Sequence, residues 1–210
     1  MKKVVGINGS PRKMNSSELL DYALKGAASK GAEVERIDLG KLNFSGCRSC
    51  FACKLKGGKS FGKCALRDDL TPVLEKILSA DAVILSTPIY WGDVTGMVRN
   101  LVERMLFPGL TYMKDGTIAY DKSVDFGLIF TMGMPDLSQV QQVVDELSGN
   151  IQYIMRGKMG IVTTHETLQY SDYSKYVGDY KLDVKEKIHK EQYPIDCQHA
   201  FEMGARLADS

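Results

Sequence analysis

Five short apolar runs, separated by stretches with apolar residues at helical spacing, constrain this chain more than any other feature of it. The runs are Lys3–Asn8, Val34–Leu39, Ala82–Thr87, Phe126–Met132 and Met159–Thr164, each rich in Val, Ile, Leu or Phe. Between them, Ser17–Lys30 sets Leu19, Leu20, Ala23, Leu24 and Ala27 on one helical face. Asp69–Ser79 does the same with Leu70, Val73, Leu74, Ile77 and Leu78, and Asp68 or Asp69 is placed to cap its start. Thr95–Phe107, Asp136–Met155 and Ile195–Leu207 complete the helical set. Strands alternating with helices predict an α/β chain, a parallel sheet covered on both faces. At 210 residues it suits one filled core, a single domain over 1–210.

Charge and composition remove several function classes. A formal charge of +1 gives no footprint for nucleic acid. No apolar run approaches the roughly 20 residues that span a bilayer, and Met1-Lys2-Lys3 leads into only two apolar residues before Gly6, too few for a signal-peptide core. A cytoplasmic protein without a membrane partner is expected. His165, His189 and His199 lack metal-ligand spacing, and no C-x5-R phosphatase motif is present. Tyr170, Tyr173, Tyr176 and Tyr180 sit at near-helical spacing, which reads as packing or a subunit contact.

In open parallel sheets, ligands bind outside the carboxyl ends of the strands. The loops after the first, third and fourth runs should therefore converge. The first, Gly9–Ser17, is small and polar and leads into a helix. Its backbone N–H groups, with Ser10, Asn15, Ser16 and Ser17, face the positive end of the helix dipole, and the natural guest is a phosphate. Arg12 and Lys13 add charge, and Asn15 or Ser16 is expected to cap the helix. The second loop opens at Thr87 and carries Tyr90 and Trp91, the only tryptophan; the third carries Gly133, which would let a planar ring approach. Phosphate at one end and flat-ring contacts at the other suit flavin mononucleotide (FMN). A dinucleotide reading is weaker, because Gly6 and Gly9 do not continue into G-x-G-x-x-G. Gly58-Lys59-Ser60 is not a P-loop, since Cys53 stands where the first glycine is required.

Gly9-Ser10-Pro11-Arg12 with Asn15-Ser16-Ser17, followed by Pro88-Ile89-Tyr90-Trp91-Gly92, resembles the flavodoxin-like NADPH-dependent FMN reductases and the related iron–sulfur flavoproteins. The resemblance covers nearly the whole chain, ending at Tyr193-Pro194-Ile195-Asp196-Cys197 with Ala200-Phe201-Glu202-Met203-Gly204. It implies a flavodoxin-like three-layer sandwich with a five-stranded parallel sheet in the order 2-1-3-4-5. It also implies non-covalent FMN, NAD(P)H as co-substrate, and a small acceptor such as a quinone, a flavin, or a nitro or azo compound. By position, Ser10, Arg12, Asn15, Ser16 and Ser17 would hold the phosphate. Thr87, Pro88, Ile89, Tyr90, Trp91 and Gly92, with Thr131 and Gly133, would surround the ring. The first loop is one residue shorter than the family's, at Met14. Since the flavin carries the chemistry, no catalytic side chain is expected. Family members often pair, so a homodimer or homotetramer is the expectation.

The segment of about 46–64 reads as a cysteine-rich insert. Cys47-x2-Cys50-x2-Cys53 has the spacing that ferredoxins use for three of four [4Fe–4S] ligands, and in the iron–sulfur flavoproteins Cys64 would be the fourth. Ten residues separate Cys53 from Cys64, more than is usual there, and Lys54, Lys56, Lys59 and Lys63 crowd the region. Those cations favour thiolates, whether as cluster ligands or as free thiols, and a zinc site is a third reading. An intact cluster would favour an electron carrier to protein partners; free thiols would favour a simple reductase. Cys197, on the C-terminal helical extension, is expected to be buried.

Overall fold

The structure, a computed structural model, describes residues 1–209. In chain order the elements are β1 (Lys3–Asn8), α1 (Asn15–Ser29), β2 (Glu33–Asp38), α2 (Leu70–Ser79), β3 (Ala82–Tyr90), β4 (Asp93–Val94), α3 (Gly96–Leu106), β5 (Val124–Thr131), α4 (Gln141–Met155), β6 (Arg156–Thr164), α5 (Leu182–Glu191) and α6 (Tyr193–Asp209). Five strands pair in parallel as β2-β1-β3-β5-β6, the expected 2-1-3-4-5 order once the two-residue β4 is set aside. β4 pairs antiparallel with the end of β3, through Ile89–Val94 and Tyr90–Asp93.

Successive strand residues point to opposite faces, which splits the apolar runs between two cores. Val5, Ile7, Val83, Leu85, Phe126 and Leu128 pack beneath α2, α3 and α4. Val4, Ala82, Ile84 and Ile129 pack beneath α1 and α6. On that second face the helix backbones touch. A Cβ on Gly204 would lie 1.8 Å from the Ala23 carbonyl oxygen, and one on Gly26 would lie 1.9 Å from that of Phe201. The C-terminal helix thereby fixes α1, and with it the loop that leads into α1.

The departures from the sequence expectations are local. α1 starts at Asn15, its N-cap is Met14, and no side chain caps it, so neither Asn15 nor Ser16 serves as the cap. The N-cap of α2 is Asp69, without a side-chain cap bond, while Asp68 Oδ1, one residue earlier, accepts the Leu70 amide at 3.1 Å. α4 starts at Gln141 rather than Asp136, because the Asp136 carboxylate accepts the Ser138 amide at 2.7 Å and turns the chain. β3 runs on to Tyr90 because β4 gives its end a partner. α5 was not foreseen, and its one buried side chain is Lys185. Cys197 is buried, as expected. Among the described residues, no helix is long and apolar enough to cross a membrane.

Candidate functional site

The carboxyl ends of β1, β3 and β5 form one rim, with Asn8 beside Ser86 and Pro88 beside Thr131. The loop after β1 is locked there by its own polar groups. The Gly9 amide donates to the Ser86 carbonyl at 2.7 Å, and the Gly9 carbonyl accepts the Thr95 hydroxyl at 2.8 Å. A Cβ on Gly9 would lie 2.2 Å from Val98 Cγ2, so the close approach requires glycine. Ser10, buried, donates its amide to Asn8 Oδ1 at 3.1 Å and accepts the Arg12 amide on its hydroxyl at 3.2 Å.

The next two serines point to different neighbours. Ser16 Oγ shares a 2.6 Å hydrogen bond with Thr131 Oγ1, which joins the first loop to the end of β5. Ser17 Oγ instead accepts from Arg36 of β2 at 2.6 Å. Arg36 also pairs with Asp38, at 2.9 Å, and with Asp21. Burial alone would push the Asp38 carboxyl up; bonds from Asn8, Lys41 and Arg36 outweigh it and hold it at about 2. Ser17 is thus a tie between α1 and β2.

Arg12 and Asn15 reach towards the segment after β6. Arg12 donates to the Gln169 carbonyl and Asn15 Nδ2 to the Leu168 carbonyl, both at 2.7 Å. That segment is held by the Thr167 amide on the Met132 carbonyl at 3.0 Å and by buried Lys185. The latter donates to Glu166 at 2.6 Å and to the Gly133 carbonyl at 3.1 Å. The group that approaches Gly133 in this structure is the Gln169 side chain: an added Cβ would lie 2.4 Å from its Nε2. Nearby, Thr164 Oγ1, beside Thr131 in the sheet, is buried without a hydrogen-bond partner.

At the other end of the rim, Thr87 and Ile89 are buried and the chain turns through Trp91 and Gly92. Both have positive φ, 53° and 76°, the backbone of a two-residue hairpin turn. A bulky aromatic residue there is strained. The turn leaves the Trp91 side chain fully exposed and Tyr90 about 41% exposed. Trp91→Asn, which tolerates this backbone, is expected to raise stability by about 0.5–1 kcal/mol in urea unfolding. An unchanged or lower midpoint would contradict that.

The cysteines of the insert also come together. Cys47, Cys50, Cys53 and Cys64 all line one cavity of about 290 Å³, with Phe107 and Arg104 in its wall. Cys47 and Cys50 are exposed, Cys53 buried and Cys64 half-buried. Burial pushes the Cys53 thiol up, which works against a free reactive thiolate there. Lys54 is tied down by the carbonyls of Phe107, Pro108 and Leu110. Arg104, fully buried on α3, donates to Cys64 Sγ at 3.3 Å, to Asp68 at 2.6 Å and to the carbonyls of Ser45 and Leu66 at 3.0 and 3.2 Å.

Residues 2–144, which include all three rim loops and the cysteine insert, match the NADPH-dependent FMN reductase family. The chain belongs to that family. Among curated relatives, an iron–sulfur flavoprotein of Archaeoglobus fulgidus is 42% identical over 102 residues, 49% of this chain and 48% of the relative. The chain thus spans about half the length of such relatives. Among solved structures, an azoreductase from Bacillus anthracis superposes with a TM-score of 0.67 at 14% identity, covering 100% of this chain and 99% of the other. An NAD(P)H:quinone oxidoreductase from Methanothermobacter marburgensis gives 0.64 at 16% identity, covering 98% and 96%. At these identities the structures confirm the flavodoxin-like fold.

The rim has a donor set that fits a phosphate-bearing ligand. The uncapped first turn of α1 leaves its amides without a side-chain partner, Ser10, Arg12, Asn15 and Ser16 lie beside it, and the unpartnered Thr164 hydroxyl lies one strand from Thr131. Among the described residues, no three His, Cys, Asp or Glu side chains converge closely enough to hold one metal ion. Cys47, Cys50, Cys53 and Cys64 nevertheless line the same cavity.

Proposed function

We propose that this FMN reductase-family chain binds FMN at the rim and passes electrons from NAD(P)H to a small acceptor of the quinone, flavin, nitro or azo type. The observation that carries the reading is the uncapped α1 N-terminus with Arg12 and Asn15 beside it. These two side chains would exchange the Gln169 and Leu168 carbonyls for phosphate oxygens. Bound FMN would supply two-electron exchange with the nicotinamide nucleotide. The protein's part is to hold the phosphate, to present Tyr90 and Trp91 to the ring, and to set Gly133 of the third loop, with Gln169 against it, at the ring's edge. The exposed Trp91 turn is also the surface that a homodimer or homotetramer would cover.

Anaerobic addition of NADH or NADPH to the FMN-loaded chain is expected to bleach the flavin bands, and a quinone to restore them. Bands unchanged by either nucleotide would overturn the reductase reading. A second reading, an electron carrier to protein partners, is favoured by the four thiols around one cavity. Cys47, Cys50, Cys53 and Cys64 would hold a [4Fe–4S] cluster, which would supply one-electron transfer. Iron and acid-labile sulfide in anaerobically prepared protein would distinguish it.

A further inference from the structure

The insert carries a charge pattern that extends beyond its cysteines. Between residues 46 and 67 lie Arg48, Lys54, Lys56, Lys59, Lys63 and Arg67, and no Asp or Glu, in a chain whose net charge is only +1. Three of these cations, Lys59, Lys63 and Arg67, rim a second cavity of about 440 Å³, between the insert and α2. All three are exposed, and among the described residues none has a side-chain hydrogen bond or an ion pair. Unpaired like charges gathered around a concavity repel one another, and an anion placed among them relieves that repulsion.

The cavity is not a polar dish. Leu74 and Leu78 of α2 and Met105 of α3 line it, with the hydroxyl of Thr71 among them. Its volume falls in the range of about 300–1,000 Å³ usual for small-molecule sites. The buried guanidinium in its wall, Arg104, is already neutralised by Asp68, so the free positive charge is that of the rim. Glu75 is the carboxylate of the lining and excludes a guest charged all over its surface. Apolar walls with cations at the mouth match a molecule with a flat or compact apolar body and an acidic group at one end.

We propose that this cavity is a binding site for a small amphipathic anion, an aromatic carboxylate or sulfonate, separate from the FMN rim. The apolar body packs on Leu74, Leu78 and Met105, and the acidic group lies among Lys59, Lys63 and Arg67. Cys64 and Arg104 stand in the walls of both this cavity and the cysteine cavity, so the bound molecule lies against Cys64. The assignment rests on this geometry alone and does not require the reductase reading.

The test is calorimetric titration of naphthalene-2-sulfonate into the full chain first saturated with FMN, with uncharged 2-naphthol as comparator. The expected result is one site per chain for the sulfonate, weaker binding of 2-naphthol, and about a tenfold loss of sulfonate affinity in K63Q/R67Q, the scale that two solvent-exposed charges contribute together. Both residues are exposed and unpaired, so the variant keeps its fold, and an unchanged melting temperature verifies it. Equal sulfonate affinity in the variant, 2-naphthol binding as tightly as the sulfonate, or no sulfonate binding overturns the proposal. So does sulfonate binding that FMN displaces, which would place it at the rim. If the chain takes up no FMN, the reductase reading fails, while the same titration on flavin-free protein still decides this site.

Discussion

Arg12→Ala combined with Asn15→Ala yields a folded chain that loses its flavin during purification. Each side chain makes one bond to a carbonyl of the segment after β6, and neither contributes to the apolar cores. The cost to the apo fold is therefore small. Charge-assisted hydrogen bonds contribute about 1.5–3 kcal/mol each, so removing a cation and an amide donor from a phosphate should weaken FMN by about 10²-fold or more. Riboflavin has no phosphate and should lose little. FMN retained at full stoichiometry in the double variant would remove these two residues from the site.

Asp68→Ala is expected to be the most damaging single change to stability, about 3–5 kcal/mol in denaturant unfolding. Arg104 has no solvent exposure on its side chain, and Asp68 is its ion-pair partner at 2.6 Å. Removing the carboxylate strands a buried guanidinium. Arg104→Met should cost less, because Asp68 keeps some access to water and can rehydrate. The pairing also sets an acid limit. Burial pushes the Asp68 carboxyl up, but the bonds from Arg104 and from the Ser45 and Leu70 amides outweigh it and leave it below the usual value. A carboxyl depressed in the folded state stabilises the fold above its unfolded value, and that contribution is lost as pH falls through the folded value. Asp38, held at about 2, behaves alike. Thermal stability should therefore fall between roughly pH 4 and pH 2, less steeply in the Asp68→Ala chain. A melting temperature flat across that window would contradict the pairing.

The sheet was legible because its signal is one of composition. Runs such as Val4–Ile7 and Val83–Leu85 bury both faces, and their alternation with helices points to a parallel sheet covered on both sides. The convergence of the three loops followed from that order. What escaped was held by tertiary polar contacts. Arg36 and Asp38 read only as part of an edge strand, yet they claim Ser17 and fix the first loop. α5 gave no apolar stripe because its buried residue is Lys185, paired with Glu166. Arg104 lay in an amphipathic helical pattern where a charge reads as solvated. Its burial depends on Asp68 and Cys64, 36 and 40 residues away in sequence. The Asx turn at Asp136, by contrast, shortened α4 by a local rule that the sequence does display.

The account stands on a phosphate-anchored flavin at the carboxyl rim of the sheet. Its most direct test is calorimetric titration of the purified chain with FMN and, separately, with riboflavin. One FMN per chain, with riboflavin at least 100-fold weaker, on the order set by several charge-assisted bonds to a phosphate, is the expected result. A folded chain that takes up neither, or that binds the two equally, contradicts it.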